Sequence, residues 1–110
     1  MAIIQQIISA KQQSRKLLVL LIDPEKQSSV EALRPYLALP DMIFVGGSTG
    51  AQTDECIAFL RRFTDCPLIL FPGNIAQFTP QADALLFLSL LNARTPEVLI
   101  YPHIQVAKQV

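Results

Sequence analysis

The sequence has too little charge of either sign to resemble a nucleic-acid-binding protein. Its 110 residues include nine basic and nine acidic side chains, so the formal net charge is zero and only 16% of the residues are charged. Proteins that bind nucleic acid usually show a basic excess that attracts the phosphate backbone. Nucleic acid is therefore not expected as a partner, and any smaller anion must be held by local contacts.

Cysteine is also scarce. Cys56 and Cys66 lie ten residues apart, with no CxxC spacing and no pair of histidines nearby. A disulfide framework or a zinc site needs more sulfur and nitrogen ligands at closer spacing. The sequence predicts two reduced, largely buried thiols.

No apolar run reaches the roughly 18 residues that a membrane span needs. The first residues show no basic segment ahead of an apolar run and no small-residue cleavage site, so no secretory signal is predicted. With 51% hydrophobic residues the chain is too apolar for disorder, and its length suits a single domain over residues 1–110. These features predict a soluble, cytoplasmic protein.

Apolar runs alternate with helical patterns along the chain. Isoleucines at helical spacing predict a helix over residues 2–14. Strands are predicted in "LLVLLID", "MIFVGG", "PLILFPG" and the core of "ADALLFLSLLN". Helices are predicted in "SSVEALRPYLAL", with Ser28 and Glu31 as a capping box and a kink at Pro35, in "TDECIAFLRRF", and after Thr95 with a break at Pro102.

This order predicts a parallel sheet. Strands that are apolar throughout, and that alternate with helices, are typical of parallel sheets covered on both faces. Right-handed crossovers over short connections predict the spatial order 1-2-3-4. Four such units are half of an eight-stranded barrel, which takes about 250 residues.

Polar or glycine-rich residues follow each predicted strand, where parallel α/β sheets bind their ligands. The four strand exits are Asp23-Pro24-Glu25-Lys26, Gly46-Gly47-Ser48-Thr49-Gly50, Pro72-Gly73-Asn74 and Asn92-Ala93-Arg94. Asp23 either caps the turn after its strand or holds a ligand. The "GGSTG" segment can offer backbone N–H groups and two hydroxyls to an anion, although a glycine turn between strand and helix is the commoner explanation.

A carboxylate and a hydroxyl at neighbouring strand ends form a reasonable Mg²⁺ pair, here Asp23 and Ser48, because Mg²⁺ takes few protein oxygens and completes its shell with water and phosphate. Other polar residues have simpler explanations. His103 has no acid at a spacing that suggests a relay, and Glu25 and Lys26 read as solvated turn charges. Phe87 and Ser89 read first as core, or as the lining of a channel in a barrel.

The motifs "LLIDPEK", "DMIFVGGSTG", "PLILFPGN" and "ADALLFLSLLNARTPEVLI" occur in an order and spacing that resemble the geranylgeranylglyceryl phosphate synthase family, which includes bacterial heptaprenylglyceryl phosphate synthases. The likeness runs from about residue 17 to residue 104. It implies a TIM (β/α)₈ barrel of which this chain covers about the first four βα units, the amino-terminal portion of a prenyltransferase.

The resemblance also implies a function. Enzymes of that family transfer a polyprenyl group from its diphosphate to sn-glycerol 1-phosphate and give an ether-lipid precursor. It implies Mg²⁺ as cofactor, held by Asp23 and Ser48. Substrate contacts are predicted at the strand exits, at Gly46, Gly47, Ser48, Thr49, Gly73 and Asn74. No catalytic residue is assigned. Peripheral membrane contact through the lipid product is a further implication. The unpaired sheet edges of a half-barrel predict a homo-oligomer.

The family's glycerol-phosphate site lies mainly in loops of the second half of the barrel, to which nothing in this sequence corresponds. The 110 residues alone are therefore expected to be inactive in transfer. Two other interpretations remain open at this point. The chain can be an inactive half-barrel that serves as a structural or assembly module, or another phosphate-binding α/β domain, such as a flavodoxin-like one with strand one between strands two and three.

Overall fold

The computed structural model describes residues 3–26, 29–47, 53–71 and 79–86. Within these ranges the chain alternates between helices and strands, as its sequence predicts. The elements in chain order are α1 (Ile3–Gln12), β1 (Val19–Ile22), a 3₁₀ helix (Val30–Tyr36), β2 (Met42–Val45), α2 (Thr53–Phe63), β3 (Leu68–Leu70) and β4 (Ala84–Leu85). The last predicted helix, and the rest of the fourth predicted strand, lie outside the described residues.

The four strands form one parallel sheet in the order β1-β2-β3-β4. The predicted strand order is confirmed, and the flavodoxin-like order is excluded. The register places the last residues of the strands opposite one another, Ile22 beside Val45, Val45 beside Leu70, and Leu70 beside Leu85. The carboxyl ends of all four strands are therefore level.

One face of the sheet packs against α2. The buried residues of this helix recur every three or four positions, at Thr53, Cys56, Ile57 and Leu60. They meet strand residues of alternate position such as Val45 and Leu70, and together these side chains form the core. Both cysteines are free thiols, with Cys56 buried and Cys66 half-buried.

The opposite face of the sheet is open at β1, so the prediction of a sheet covered on both faces is wrong at that strand. Leu21 is 59% exposed, and Val19 and Phe71 are more than a third exposed. Successive side chains of a strand point to opposite faces. By the strand register, Met42 and Ile69 lie on the same face and are buried, so this face is covered in part. Val19 and Leu21, on the outer strand, meet solvent.

The helices before and after β1 differ in detail from their predictions. Helix α1 ends at Gln12 rather than near residue 14, and Ile4, Ile7 and Ile8 on it are exposed. The segment around Pro35 is a 3₁₀ helix, because proline has no N–H for a longer helical ladder. The N-cap of this helix is Ser29 rather than the predicted Ser28, and Ser29 makes no side-chain capping bond. Ser28 itself lies outside the described residues. No helix in the described ranges is both long and apolar enough to cross a membrane.

Candidate functional site

The carboxyl edge of the sheet continues as a regular ladder for one residue beyond the strands. The Gly46 amide donates to the Ile22 carbonyl at 2.8 Å, the Phe71 amide to the Val45 carbonyl at 2.8 Å, and the Leu86 amide to the Leu70 carbonyl at 3.0 Å. These bonds hold the next residues of the chain, including Asp23 and Gly46, in one row across the edge. Two of the residues predicted to form the site are thus brought together on adjacent strands.

Asp23 caps the turn that follows β1, and its second oxygen makes no hydrogen bond to the backbone of the described residues. Its Oδ1 accepts the Glu25 amide at 3.0 Å, and its carbonyl accepts the Lys26 amide at 3.2 Å. Its Oδ2 lies 4.0 Å from the Lys26 ammonium, a long ion pair, and Lys26 itself is largely exposed. The two roles that the sequence left open for Asp23 are compatible, since Oδ1 holds the turn while Oδ2 makes only this long ion pair among the described residues.

The two described glycines of "GGSTG" lie at the same edge and differ in what they allow. Gly46 is buried, and a Cβ built on it would stand 3.4 Å from the Phe71 carbonyl oxygen and 3.6 Å from Leu21 Cδ1. Gly47 has a φ of 132°, which side-chain-bearing residues rarely adopt. The chain therefore leaves the sheet at Gly47 along a path that requires glycine.

Phe71 belongs to this edge although the sequence did not mark it. It follows β3 directly, it is 38% exposed, and its ring stacks on that of Phe44 with centroids 6.0 Å apart. Alternation along "LILF" from Ile69 places Phe71 on the open face of the sheet. The alternation in the sequence is therefore the signal that could have identified Phe71 as a residue of this edge.

The first turn of α2 follows the glycine segment and contains a buried hydroxyl. Thr53 is the first residue of the helix, and its Oγ1 has no hydrogen-bond partner in the part of the chain that the structure describes. Since Thr53 lies one turn before Cys56 and Ile57 on the buried face of α2, its hydroxyl lies on the side of the helix that faces the sheet.

The donor set of the edge suits a hard cation bound mainly by a ligand and water. The described residues contain no group of three or more His, Cys, Asp or Glu side chains that could form a cage around a metal ion. Mg²⁺ requires less, because one or two carboxylates and substrate phosphates suffice. Asp23 offers one such carboxylate. Ser48, Thr49, Gly73 and Asn74, the other predicted site residues, lie outside the described residues.

Comparison with known proteins agrees with this architecture. Residues 8–110 match the PcrB family. A protein of Zunongwangia profunda is 44% identical over 108 residues, which are 94% of this chain and 46% of that protein. A protein of Korarchaeum cryptofilum is 43% identical over 88 residues, which are 74% of this chain and 36% of that protein. Both are named geranylgeranylglyceryl phosphate synthase.

A solved structure matches the fold over nearly the whole chain. It is the crystal structure of (S)-3-O-geranylgeranylglyceryl phosphate synthase from Thermoplasma acidophilum in complex with substrate sn-glycerol-1-phosphate, with 31% sequence identity and a TM-score of 0.82. The match covers 99% of this chain and 47% of that one, so the chain spans less than half the length of the relatives described here. The α/β sheet therefore corresponds to part of a TIM barrel, and the chain belongs to the PcrB family.

Proposed function

We propose that this chain supplies the diphosphate-binding part of a prenyltransferase. The enzyme would transfer a geranylgeranyl-type group from its diphosphate to sn-glycerol 1-phosphate and produce an ether-lipid precursor. The proposal rests on the level carboxyl edge of the sheet, where the Asp23 carboxylate and the Gly46–Gly47 backbone lie on neighbouring strands. Relatives that bear the name of such a synthase support the choice of reaction.

The chemistry of the edge fits a diphosphate. The glycines permit close approach of a phosphate to the backbone, and Ser48 and Thr49 would add hydroxyl donors from the same segment. Gly73 and Asn74 would contribute from the exit of β3. Lys26, on the turn that Asp23 caps, can exchange its long ion pair for a phosphate oxygen, because it is exposed and flexible.

Mg²⁺ is the cofactor that this site would hold, through Oδ2 of Asp23 and the Ser48 hydroxyl. When bound, it would stabilise the negative charge that builds on the diphosphate as the allylic C–O bond breaks. The protein's own part is to hold Asp23 in a fixed rotamer. The hydrogen bond from the Glu25 amide to Oδ1 does this by tying the carboxylate to the turn.

The open face of the sheet would accommodate the isoprenoid tail. Leu21, Phe44 and Phe71 lie on this face, below and beside Asp23, and Leu21 and Phe71 are exposed. A polyprenyl chain would bury this apolar surface while its diphosphate stays at the polar edge. Such an enzyme would work in the cytoplasm, with contact to the membrane surface through its lipid product.

The test is binding of pyrophosphate and of geranylgeranyl diphosphate by calorimetry, with and without Mg²⁺. Asp23→Asn keeps an oxygen for the Glu25 amide and removes the charge, so the turn should survive while Mg²⁺-dependent binding weakens by roughly tenfold or more. Asp23→Ala should lose both the turn and binding. Asp65→Asn changes an exposed acid before β3, at the opposite edge, and is the control. Wild-type affinity in Asp23→Asn would refute the assignment of the metal.

A further inference from the structure

Two aspartates at the amino-terminal edge of the sheet make the same contact with a neighbouring strand. Asp41 directly precedes β2; its amide donates to the Leu18 carbonyl at 2.8 Å and its Oδ2 accepts the Leu18 amide at 2.9 Å. Asp83 directly precedes β4 and contacts Leu68 in the same way, with both bonds at 2.8 Å. In a regular parallel ladder the N–H and C=O of one residue bond to two different residues of the next strand. Here one aspartate bonds to both groups and closes a ring, although the Leu18 carbonyl also accepts the Met42 amide at 3.4 Å.

The register shows that the two rings are equivalent. Val19 pairs with Met42, so Leu18 lies opposite Asp41, and Ile69 pairs with Ala84, so Leu68 lies opposite Asp83. In each ring the carboxylate takes the place of a backbone carbonyl as acceptor. Leu68 is fully buried whereas Leu18 is 56% exposed, so the ring at Asp83 protects its amide from water far better.

An arginine accompanies each ring. Arg15 Nη1 lies 3.6 Å from Asp41 Oδ1, and Arg61 Nη1 lies 2.9 Å from Asp83 Oδ2. Arg61 also donates through Nη2 to the Gln81 carbonyl at 3.1 Å, which ties the segment before β4 to α2. These ion pairs are partly exposed and weak on their own. The hydrogen bonds from the strand amides to the aspartates, rather than these ion pairs, determine which residues of the two strands lie opposite each other.

The contact is absent from the middle strand pair, within the residues described. The residue before β3 is Pro67, which has no N–H and no carboxylate, and its carbonyl simply accepts the Ile43 amide at 2.9 Å. The sheet is thus built from two similar units, β1 with β2 and β3 with β4, joined by ordinary ladder bonds.

We infer that Asp41 and Asp83 are positioning residues, each of which locks the register of its own strand pair. A slip of one residue would break the ring and turn every following side chain to the other face of the sheet. At the far edge such a slip would separate Asp23 from Gly46, or displace Phe71 against Leu86. The link to ligand binding rests on the function proposed above, whereas the lock itself does not.

The experiment compares three substitutions at each aspartate by amide hydrogen exchange, followed by NMR on the 110-residue chain. Asp83→Asn keeps the acceptor oxygen and loses the charge, Asp83→Glu keeps the charge but shifts the carboxylate by one methylene, and Asp83→Ala removes both. The same three changes are made at Asp41. Asp65→Ala is the control, an exposed acid at the same edge.

The lock predicts effects confined to one strand pair. In Asp83→Ala and Asp83→Glu the Leu68 and Leu86 amides should exchange roughly tenfold faster or more, while Gly46 stays within about twofold of wild type. Asp83→Asn should behave like wild type. The Asp41 variants should affect Leu18 and Gly46 instead, and less strongly, because that ring is exposed.

Two results would overturn the lock. Equal acceleration in all four strands would mean that the aspartates only add to overall stability. Fast exchange in the Asn variants with normal exchange in the Glu variants would assign the effect to charge. If an Ala variant does not fold, the comparison of Asn with Glu still decides between these outcomes.

Binding of Mg²⁺ and pyrophosphate to the same variants separates this inference from the proposed function. A wild-type chain that does not bind contradicts the proposed function, and the exchange pattern still tests the lock. If wild type binds, Asp41→Ala should bind more weakly and Asp41→Asn normally. Unchanged binding in Asp41→Ala, in spite of faster exchange at Leu18, would refute the link between the lock and the far edge.

Discussion

Gly46 and Gly47 are neighbours in the sequence, but the backbone constrains them differently. Gly47 has a φ of 132°, so an alanine there is strained whatever the surrounding space. A Cβ on Gly46 would only touch the Phe71 carbonyl, at 3.4 Å. We expect Gly47→Ala to lower the free energy of unfolding by about 1 kcal/mol or more and Gly46→Ala by clearly less, as measured by urea denaturation. Equal losses would contradict this account of the turn.

The two thiols should differ in reactivity. Burial raises the pKa of the Cys56 thiol to about 11. Burial, and then the negative charges of Asp41 and Asp83, raise the pKa of the Cys66 thiol as well. Since the thiolate is the reactive form, both should react slowly with iodoacetamide at pH 8, and the half-buried Cys66 should react before Cys56.

The same charges give a sharper test, because removal of one negative neighbour lowers the thiol pKa. Asp83→Asn should therefore speed the alkylation of Cys66 and leave Cys56 unchanged, as followed by mass spectrometry. Cys66→Ser serves as the control for assigning the modified peptide. If Cys56 is alkylated before Cys66, the inference that Cys66 is the more accessible thiol would be contradicted.

The residues of the site show where a sequence stops being informative. The position of Asp23 at a strand exit followed from the apolar run before it, and so did its nearness to Gly46. The sequence did not predict that one carboxylate oxygen bonds to the Glu25 amide while the other lies near Lys26, because this depends on the path of the turn. The rings at Asp41 and Asp83 could not be predicted for the same reason. Aspartate is common before strands, and the sequence does not show which amide its carboxylate accepts.

At the scale of the strands, the contact of the Asp83 carboxylate between β3 and β4 should make the free energy of unfolding fall at low pH. Partial burial raises the pKa of the Asp83 carboxyl, but the hydrogen bonds from Arg61 and the Leu68 amide, with the Arg61 charge, outweigh it and hold the pKa below its ordinary value. A carboxyl of lowered pKa stabilises the fold above its unfolded pKa, about 3.9, and this contribution is lost as the pH falls through the lower folded value.

The measurement is the free energy of unfolding in urea between about pH 6 and pH 2.5. Wild type should lose stability below about pH 4, and Asp83→Asn should show a shallower loss over the same range, because its amide does not titrate. The effect should be small, since the Asp83 side chain is more than a third exposed. If the free energy of unfolding depends on pH in the same way in both proteins, Asp83 does not contribute to the loss of stability in acid.

The strands were predictable as elements and the helices less so. Apolar runs bounded by glycine, proline and aspartate located β1, β2 and β3 closely, and short connections determined their order. Pro35 predicts a kink in the helix. That the segment is instead a 3₁₀ helix depends on how the chain reaches β2. The exposed face of β1 was not predicted, because a run such as "LLVLLI" does not reveal whether both of its faces find partners.

At the scale of the whole chain, the open part of the sheet face and the outer edge of β1, which is unpaired among the described strands, predict self-association. Leu21 and Phe71 are exposed on this face, and β1 has no neighbour on its outer side among the described strands. Exposed apolar surface of this kind favours association. We expect the 110-residue chain to form dimers or larger species at micromolar concentration in sedimentation experiments.

Leu21→Lys should shift the population toward monomer. Leu39→Lys, at a position that is also well exposed but lies in the loop before β2, should not. This comparison separates the sheet face from a general effect of added charge. A monodisperse wild-type monomer would contradict the prediction.

A polypeptide of these 110 residues should bind Mg²⁺ and diphosphate without transferring a prenyl group. It aligns with only 47% of the Thermoplasma acidophilum enzyme, and the acceptor hydroxyl must be held against the allylic carbon for transfer. Loss of such positioning forfeits roughly 7–11 kcal/mol of the barrier reduction. The assay combines geranylgeranyl diphosphate, sn-glycerol 1-phosphate and Mg²⁺ with the purified chain. Normal turnover would show that these residues also position the acceptor.

The spacing of the two aspartate rings along the chain bears on how the protein emerges from the ribosome. The first joins residues 23 positions apart and the second residues 15 apart. Short loops close at little entropic cost, so β1 and β2 can pair while β3 and β4 are still being synthesised. The free edge of β2 then offers a template to β3. Such a sheet can grow vectorially, one strand pair at a time, with each register fixed before the next pair arrives.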